Sequence, residues 1–401
     1  MTTHRLYPYI VIGVAVLSHG GFALSGQGFP PFSPFIQDDF DLSRTQVGII
    51  TGTIFGAATI TSTGFGWLID HFGARLMSGL TMILSGAAVA SMYFANSFTT
   101  VLIVAAIMGS LRPVGHPAGT KAILDWVSLR QRATAMSIKQ AGNPLLAAAA
   151  AAIIPPIAIA YGWQVAAIAL GGFISAGGVL ILAIYRDKET AIERKKSGKS
   201  FLEGIKSVVT SKDLSLAMAF GFPLVGVQVA TLTYFILYLN DDLGVSVIIA
   251  GTLLAILQMS SIVMRITWGV LSDTLGKGRR KPVLLVAGLS TIAVLTIVAF
   301  LPENTPYWGL VLVAIGLGAT ATSWVSLHSV LLSEIAKPSE VGTAIGYAST
   351  LSRSAIVITP PFFGWLSDIA DYQTAWLAMV AGIIIALLFL GAVKERSQQN
   401  N

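Results

Sequence analysis

The sequence GWLIDHFG at residues 66–73 returns as GVLSDTLG at residues 269–276. Glycine, leucine, aspartate and glycine recur at the first, third, fifth and eighth positions of both copies, 203 residues apart. At the same shift, DDFDLSRTQVG at 38–48 aligns without a gap to DDLGVSVIIAG at 241–251. Two matches at one offset indicate that the chain consists of two halves with the same architecture.

The composition places both halves in a lipid bilayer. Of the 401 residues, 54% are hydrophobic and only 11% are charged, whereas a soluble domain carries roughly a quarter charged residues. The 25 Lys+Arg exceed the 19 Asp+Glu, but in a membrane protein this excess bears on loop orientation and does not indicate nucleic-acid binding. The chain has no cysteine, so no disulfide framework or thiolate metal site is expected.

Hydrophobic length predicts the number of membrane spans. A span needs about 20 mostly apolar residues. Twelve segments qualify: 8–36, 45–68, 75–96, 100–123, 133–158, 163–185, 214–239, 247–271, 281–300, 307–333, 341–366 and 373–393. We therefore predict an all-α integral membrane fold with two pseudo-symmetric six-helix bundles. The bundles comprise residues 1–185 and 214–401, and a polar linker, 186–213, joins them.

Loop charge predicts the orientation. With the N-terminus inside, one face holds the basic linker, KGRRK at 277–281 and nearly all other loop lysines and arginines. The opposite face holds only Arg44 among several acidic residues. The positive-inside rule then places the linker and both termini in the cytoplasm, as in a bacterial inner (plasma) membrane protein. The first segment lacks a small-residue cleavage site and is expected to be a retained span.

The repeated loops carry a family resemblance. GFGWLIDHFGAR (64–75) and GVLSDTLGKGRRK (269–281) resemble the signature loops of the major facilitator superfamily. The resemblance implies that two bundles rock about a midplane site and that each loop latches the cytoplasmic side. The latch residues it implies are Gly66, Asp70, Gly73, Arg75, Gly269, Asp273 and Gly276. An ordinary interfacial turn is the alternative.

Simple physical roles are expected for these residues. Gly66 and Gly269 would allow close helix approach. The aspartates Asp70 and Asp273 would cap a neighbouring helix or pair with a following arginine, Arg75 or Arg279.

A second resemblance concerns the cargo. Arg265, four residues before a glycine of span eight, resembles the span-eight arginine of monocarboxylate transporters and of the oxalate/formate antiporter branch. That branch also has a basic residue in span eleven, where this chain has Arg353. The glycine–proline pattern typical of span five in drug exporters is absent from residues 133–158.

Basic residues inside the spans also point to an anion. Lys121 has Asp125 one turn later and is explained by a local pair, but no clear midplane carboxylate accompanies Arg112, Arg265 or Arg353. A charged residue at a helix centre costs roughly 2.5–3.5 kcal/mol. We therefore expect these arginines to face a wet cavity that holds an anion, since the guanidinium fork binds carboxylate bidentately.

Each basic residue has a structural alternative. Two prolines near Arg112 would free backbone carbonyls for its guanidinium. Lys139 and Arg265 lie close enough to the cytoplasmic end to reach water, whereas Arg353 lies near the midplane, where only a structural hydrogen-bonding role competes.

The predicted site follows from these residues and their neighbours. Substrate contacts are predicted for Arg265, Arg353, Arg112, Lys139, Gln140, Asn143, Gln258, Tyr234 and Tyr238. Histidine is the predicted proton carrier because it titrates near neutral pH, and the candidates are His19, His116 and His328. A satisfied interior histidine or a packing tyrosine is the commoner alternative.

The sequence thus predicts a secondary transporter of a small organic anion, a mono- or dicarboxylate, working by alternating access. Anion exchange and proton symport both remain open. The alternatives are a nitrate-like anion porter, a drug or metabolite exporter, and a transporter-like sensor. No nucleophile–base cluster or phosphate loop indicates an enzyme. We expect a monomer with a small anionic substrate and no cofactor, metal or nucleic acid.

Overall fold

The structure, a computed structural model, describes residues 3–188, 211–276, 279–336 and 341–393, without the side chains of residues 3–5, 63, 66, 70, 133 and 341–350. The greater part of the predicted linker therefore lies outside the described residues. The side chain of Asp70 and the surroundings of Gly66, both predicted latch residues, lie outside them as well.

The described residues form fifteen α-helices, some of them joined by short 3₁₀ turns. The first eight are α1 Thr3–Gln27, α2 Ser33–Phe40, α3 Arg44–Phe72, α4 Ala74–Ala90, α5 Phe98–Leu111, α6 Gly115–Trp126, α7 Arg132–Tyr161 and α8 Trp163–Ile184. The others are α9 Lys212–Asp241, α10 Val247–Asp273, α11 Lys281–Ala299, α12 Tyr307–Thr320, α13 Val325–Ile335, α14 Val341–Ile369 and α15 Tyr372–Ala392.

The helices agree with the predicted spans. Ten helical segments of the described chain are long and apolar enough to cross a membrane, and each coincides with a predicted span. The remaining two predictions, 45–68 and 341–366, fall within α3 and α14, which have 29 residues each. The all-helical membrane fold is confirmed.

The chain divides into two compact units. The first comprises Met1–Ile192 together with Val245–Ala255, and the second comprises Glu193–Gly244 together with Ile256–Asn401. Most of the first bundle and most of the second therefore form separate units. The beginning of α10 groups with the first unit, a feature that hydropathy does not reveal.

Small residues let helices of the first unit pack with their backbones in contact. A Cβ atom added to Gly178 would lie 2.7 Å from the carbonyl oxygen of Gly79, between α8 and α4. One added to Gly20 of α1 would lie 2.6 Å from the carbonyl oxygen of Gly142 in α7. Such small-residue contacts are the usual way in which membrane helices approach closely.

The internal repeat extends to these close contacts. In the first unit, Gly109 leaves no room for a Cβ atom beside the carbonyl of Ile54, and in the second unit Gly318 leaves none beside that of Leu257. Ile54 and Leu257 are 203 residues apart, which is the shift between the two signature loops. The two units therefore repeat a packing contact as well as a loop.

Substituting Gly318 with alanine is expected to destabilise the protein by about 1–3 kcal/mol, the usual cost of overpacking. The added methyl group would meet the backbone of α10, which cannot move aside as a flexible side chain can. Thermal unfolding of the purified protein in detergent would measure the effect. Gly269→Ala is the matched control because no atom lies within 4 Å of its Cβ position. Equal melting temperatures for the two variants would contradict this prediction.

The open space at Gly269 also corrects an expectation. The sequence suggested that this glycine allows close helix approach, but no neighbouring atom lies near it. At the other end of the loop, a Cβ atom on Gly276 would lie 2.6 Å from the carbonyl oxygen of Ser272, four residues earlier in the chain. Gly276 turns the chain tightly between α10 and α11.

Candidate functional site

The fourth predicted span is interrupted where its arginine lies. Helix α5 ends at Leu111, a 3₁₀ turn covers Arg112–Val114, and α6 continues from Gly115. Pro113 explains the interruption because proline has no N–H to donate and blocks the helical hydrogen bond. The span therefore has two helical segments, and its basic residue lies at the junction.

Arg112 lies against an aromatic ring of the neighbouring helix. Its Cζ atom is 4.5 Å from the ring centroid of Phe55 on α3, a cation–π arrangement. Gly26 of α1 leaves space for the guanidinium, since an added Cβ atom would lie 3.2 Å from Nε. The side chain is half-buried.

Two histidines meet one turn further along the span. The rings of His19 on α1 and His116 on α6 are 5.6 Å apart between centroids and pack edge to face. His116 is exposed and His19 is half-buried. The structure thus brings two of the three predicted proton carriers together.

Lys139 is buried beside this pair. Only 1% of its surface is exposed, so the alternative that it reaches cytoplasmic water is not what the structure shows. Its Nζ atom donates to Thr120 Oγ1 at 2.7 Å and to the carbonyl oxygen of His116 at 3.4 Å. Gly119 makes room for its aliphatic stem.

The two amides predicted beside Lys139 differ in placement. Asn143 lies one turn after the lysine and is half-buried, and its Oδ1 atom is buried without a hydrogen-bond partner among the described residues. Gln140 is exposed and, at 100° per residue, points away from the face that carries the lysine. The structure therefore groups Asn143, but not Gln140, with Lys139.

In the second unit, Arg265 is hydrogen-bonded to a non-helical segment that interrupts the tenth span. Helix α12 ends at Thr320 and α13 begins at Val325, so the carbonyl of Thr322 lies in the non-helical connection between them. Arg265 donates from Nη2 to the carbonyl oxygen of Thr322 at 3.2 Å, and Ser261 donates to the same oxygen at 3.3 Å. The guanidinium therefore turns toward span ten.

The hydrogen bond to Thr322 uses only one nitrogen of the Arg265 guanidinium. Its Nε atom is buried and has no hydrogen-bond partner among the described residues. One turn later, Trp268 donates its indole N–H to the carbonyl oxygen of Ala319 at 2.8 Å and to Ser323 Oγ at 3.0 Å. Gln258, two turns before Arg265 on the same helix face, is buried. This side of α10 is therefore polar over three turns.

Arg353 lies on the inward side of α14. It is half-buried and shares a helix face, at intervals of seven residues, with the buried residues Pro360 and Ser367. The opposite face carries exposed apolar residues such as Phe362 and Ile358. The guanidinium therefore lies away from the apolar surface of this helix.

Both predicted tyrosines are buried in the core of the second unit. Tyr234 stacks on Phe363 and donates to the carbonyl oxygen of Pro360 at 2.8 Å. Tyr238 packs against Trp376 and donates to the carbonyl oxygen of Val298 at 2.6 Å. Because each hydroxyl already has a backbone acceptor, the geometry favours packing over the predicted substrate contact.

The third predicted proton carrier, His328, is also buried in packing. Its Nε2 atom lies 2.8 Å from the carbonyl oxygen of Ala217. A carbonyl can only accept, so Nε2 carries the proton. The ring packs against Phe220 and Trp324. This arrangement favours a satisfied structural histidine.

The first signature loop is held by a residue that sequence reasoning missed. Gly73, at φ 86°, ends α3, and the carboxylate of Asp187 accepts from the backbone N–H groups of Ala74 and Arg75 at 3.0–3.2 Å. An anion at a helix N-terminus is stabilised by the helix dipole. Arg75 itself donates to the carbonyl oxygen of Leu182. The sequence feature that could have predicted this contact is the position of Asp187, an acidic residue shortly after the end of the sixth span.

The second signature loop uses a different arginine from the one expected. Asp273 pairs with Arg280 and not with the predicted Arg279, and Arg280 also contacts Glu334 at 3.2 Å. Burial lowers the pKa of Arg280, but its hydrogen bonds with the two carboxylates outweigh this effect and hold the pKa above its ordinary value. The cation thus ties the end of α10 to the end of α13.

Comparison with known proteins agrees with this architecture. The family model of the Major Facilitator Superfamily matches residues 15–333 and 278–401. The hexuronate transporter of Bacillus subtilis is 27% identical over 88% of this chain and 86% of its own. Monocarboxylate transporter 12 of Xenopus laevis is 23% identical over 91% of this chain and 83% of its own.

A solved structure shows the same fold. The crystal structure of a bacterial homologue of the human lysosomal transporter Spinster, in its inward-facing and occupied conformation, superposes with a TM-score of 0.82 at 14% identity. The similarity covers 98% of this chain and 99% of that one. Because the family model spans nearly the whole chain and its relatives are transporters rather than enzymes, this protein belongs to the Major Facilitator Superfamily and is a multi-pass membrane transporter.

Proposed function

We propose that this transporter carries a small organic anion, a mono- or dicarboxylate, and that Arg265 and Arg353 bind it. The observation that carries the proposal is the Arg265 guanidinium, which lies within a membrane-spanning helix and whose buried Nε atom has no hydrogen-bond partner among the described residues. A buried donor left without an acceptor costs about 1–3 kcal/mol. A bound carboxylate would supply that acceptor.

The chemistry of arginine favours a carboxylate as the substrate. A guanidinium keeps its charge at any physiological pH and binds a planar carboxylate through two parallel hydrogen bonds. The Arg265 guanidinium is bonded to the backbone carbonyl of Thr322, a neutral acceptor. The names of the two relatives, a hexuronate transporter and a monocarboxylate transporter, support the same class of substrate.

The remaining parts of the proposal follow from sequence and geometry. Asn143 and Gln258 stay predicted substrate contacts, since an amide group suits a hydroxyl or a carboxylate oxygen of an organic acid. The participation of Arg112 and Gln140 stays a prediction. The excess of basic residues in alternate loops favours an inner membrane location with both termini in the cytoplasm, and we propose a functional monomer.

Transport by purified protein in liposomes tests the proposal. The panel comprises labelled D-glucuronate, D-glucarate, L-lactate and nitrate, with a lipophilic cationic drug as a contrast. Internal anion and the pH gradient are varied separately, so that exchange and proton-driven uptake are both detected. We expect saturable uptake of at least one carboxylate. Movement of the drug or of nitrate without any carboxylate would contradict the proposal.

A further inference from the structure

Lys139 carries its amino group into a buried position with only neutral partners. Nζ is bonded to the Thr120 hydroxyl at 2.7 Å and lies 3.4 Å from the carbonyl oxygen of His116. No described carboxylate is hydrogen-bonded or ion-paired to it. A buried ammonium without a counter-ion is costly. Burial at this position therefore favours the neutral amine over the charged ammonium, because the amine keeps its hydrogen bonds and carries no charge.

The neighbouring elements supply few charges that face this amine. Helix α1, helix α6 and the 3₁₀ turn Leu129–Gln131 pack against α7. The titratable residues of these elements with described side chains are Tyr7, Tyr9, His19, His116, Lys121, Asp125 and Arg130. Lys121 reaches the carbonyl oxygen of Ile69 at 3.5 Å, and the segment Trp163–Ile184 of α8 contains no titratable residue. Among these residues, His116 contacts the lysine through its backbone carbonyl.

Hydrogen bonds connect the buried lysine with residues that are more exposed. The Thr120 hydroxyl accepts from Lys139 and donates to the carbonyl oxygen of His116 at 2.8 Å. Thr120 is half-exposed and the His116 ring is exposed, whereas Lys139 is not. Water that reaches the threonine or the histidine can therefore exchange a proton with the buried amine.

We propose that Lys139 binds and releases the proton that accompanies the anion, so that the protein is a proton–anion symporter. This inference rests on the proposed function. In each cycle, the Nζ lone pair takes one proton from water on one side while one anion binds. Both leave on the other side, and the neutral amine returns. The two are coupled if the bundles exchange access only when the lysine and the anion site are both occupied or both empty, and linkage then makes each ligand raise the affinity for the other.

The inference changes the role predicted for Lys139 and its neighbours. The lysine serves as the titrating group and not as a direct substrate contact. His116, whose ring is exposed and packs against that of His19, suits a relay better than a primary proton site. His328, whose ring is bonded into the packed second unit, has no part in this route.

Lys139→Gln in liposomes tests the inference, with the panel carboxylate of fastest uptake as the probe. The membrane voltage is clamped at zero and the interior is held one pH unit above the exterior. One proton per anion predicts about tenfold accumulation by the unmodified protein. For the variant we expect no accumulation above the outside concentration, while exchange of internal for external anion at equal pH continues at a measurable rate.

Anion binding at different pH values gives a second readout. The dissociation constant of the unmodified protein should rise with pH, by up to about tenfold per unit, because a proton must be bound for tight anion binding. The constant for Lys139→Gln should not change with pH. Thr120→Val, which keeps the lysine but removes its hydroxyl partner, should slow proton-driven uptake.

The control is Lys121→Gln, a half-exposed lysine on the adjacent helix, which should keep both exchange and accumulation. Tenfold accumulation by Lys139→Gln would overturn the inference while leaving the proposed function standing. Loss of exchange and accumulation in equal proportion would also overturn it, because it would indicate a structural role. If the unmodified protein moved no carboxylate at all, the proposed function itself would fail.

Discussion

Replacing Arg265 with glutamine is expected to weaken carboxylate binding by roughly 100-fold, or about 3 kcal/mol, the usual cost of removing one partner of a buried charge pair. Glutamine has no charge and no fork, and it ends two bonds short of the Nη2 atom that donates to the carbonyl of Thr322. Arg265→Lys keeps the charge and should lose about tenfold, since a lysine cannot bind both carboxylate oxygens in parallel. Isothermal titration of the purified protein would measure both effects.

Trp268→Phe is the matched control for Arg265. Trp268 is attached to the same interruption of span ten, through its bonds to Ala319 and Ser323, but it carries no charge. Loss of these bonds should cost about 1 kcal/mol of stability and leave anion affinity within a few-fold. If Arg265→Gln bound the anion as tightly as the unmodified protein, Arg265 would only hold the span-ten interruption in place.

The fold could be predicted from the sequence because lipid imposes length and composition on every span. The repeated loops, the twelve apolar segments and the family resemblance were sufficient, and ten spans agree with the structure segment by segment. Hydropathy does not show how helices pack beside one another. That is why the open space at Gly269, and the grouping of residues 245–255 with the first unit, were not foreseen.

The interruptions of spans four and ten show where site prediction fails. Pro113 and a second proline indicated the first interruption, because proline cannot donate a helical hydrogen bond. The second, near Thr322, has no proline or glycine between α12 and α13. Its carbonyl partner for Arg265 was therefore not predictable. Whether a side chain near a helix end turns to water or inward depends on the neighbouring helix, as the buried Lys139 shows. Which of two adjacent arginines binds Asp273 depends on the turn at Gly276.

Arg353→Gln is expected to abolish carboxylate transport while leaving the folded protein intact. The residue lies in the middle of α14, half-buried, on the face opposite the apolar surface. Its replacement should leave the melting temperature within a few degrees, because glutamine keeps a polar group at this half-buried position. Ser354→Ala, at the exposed neighbouring position, is the control and should transport normally.

A comparison of two acids would show which carboxylate of the substrate Arg353 binds. D-Glucarate and D-glucuronate share a carbon chain and differ by one carboxylate. If Arg265 and Arg353 each hold one carboxylate, Arg353→Gln should remove a preference for the diacid and leave the monoacid bound. If both arginines hold the same carboxylate, the variant should lose both acids equally, and the Arg265→Gln/Arg353→Gln double variant should be less than additively impaired, since residues that share a ligand are energetically coupled. Unchanged binding of both acids to Arg353→Gln would remove Arg353 from the site.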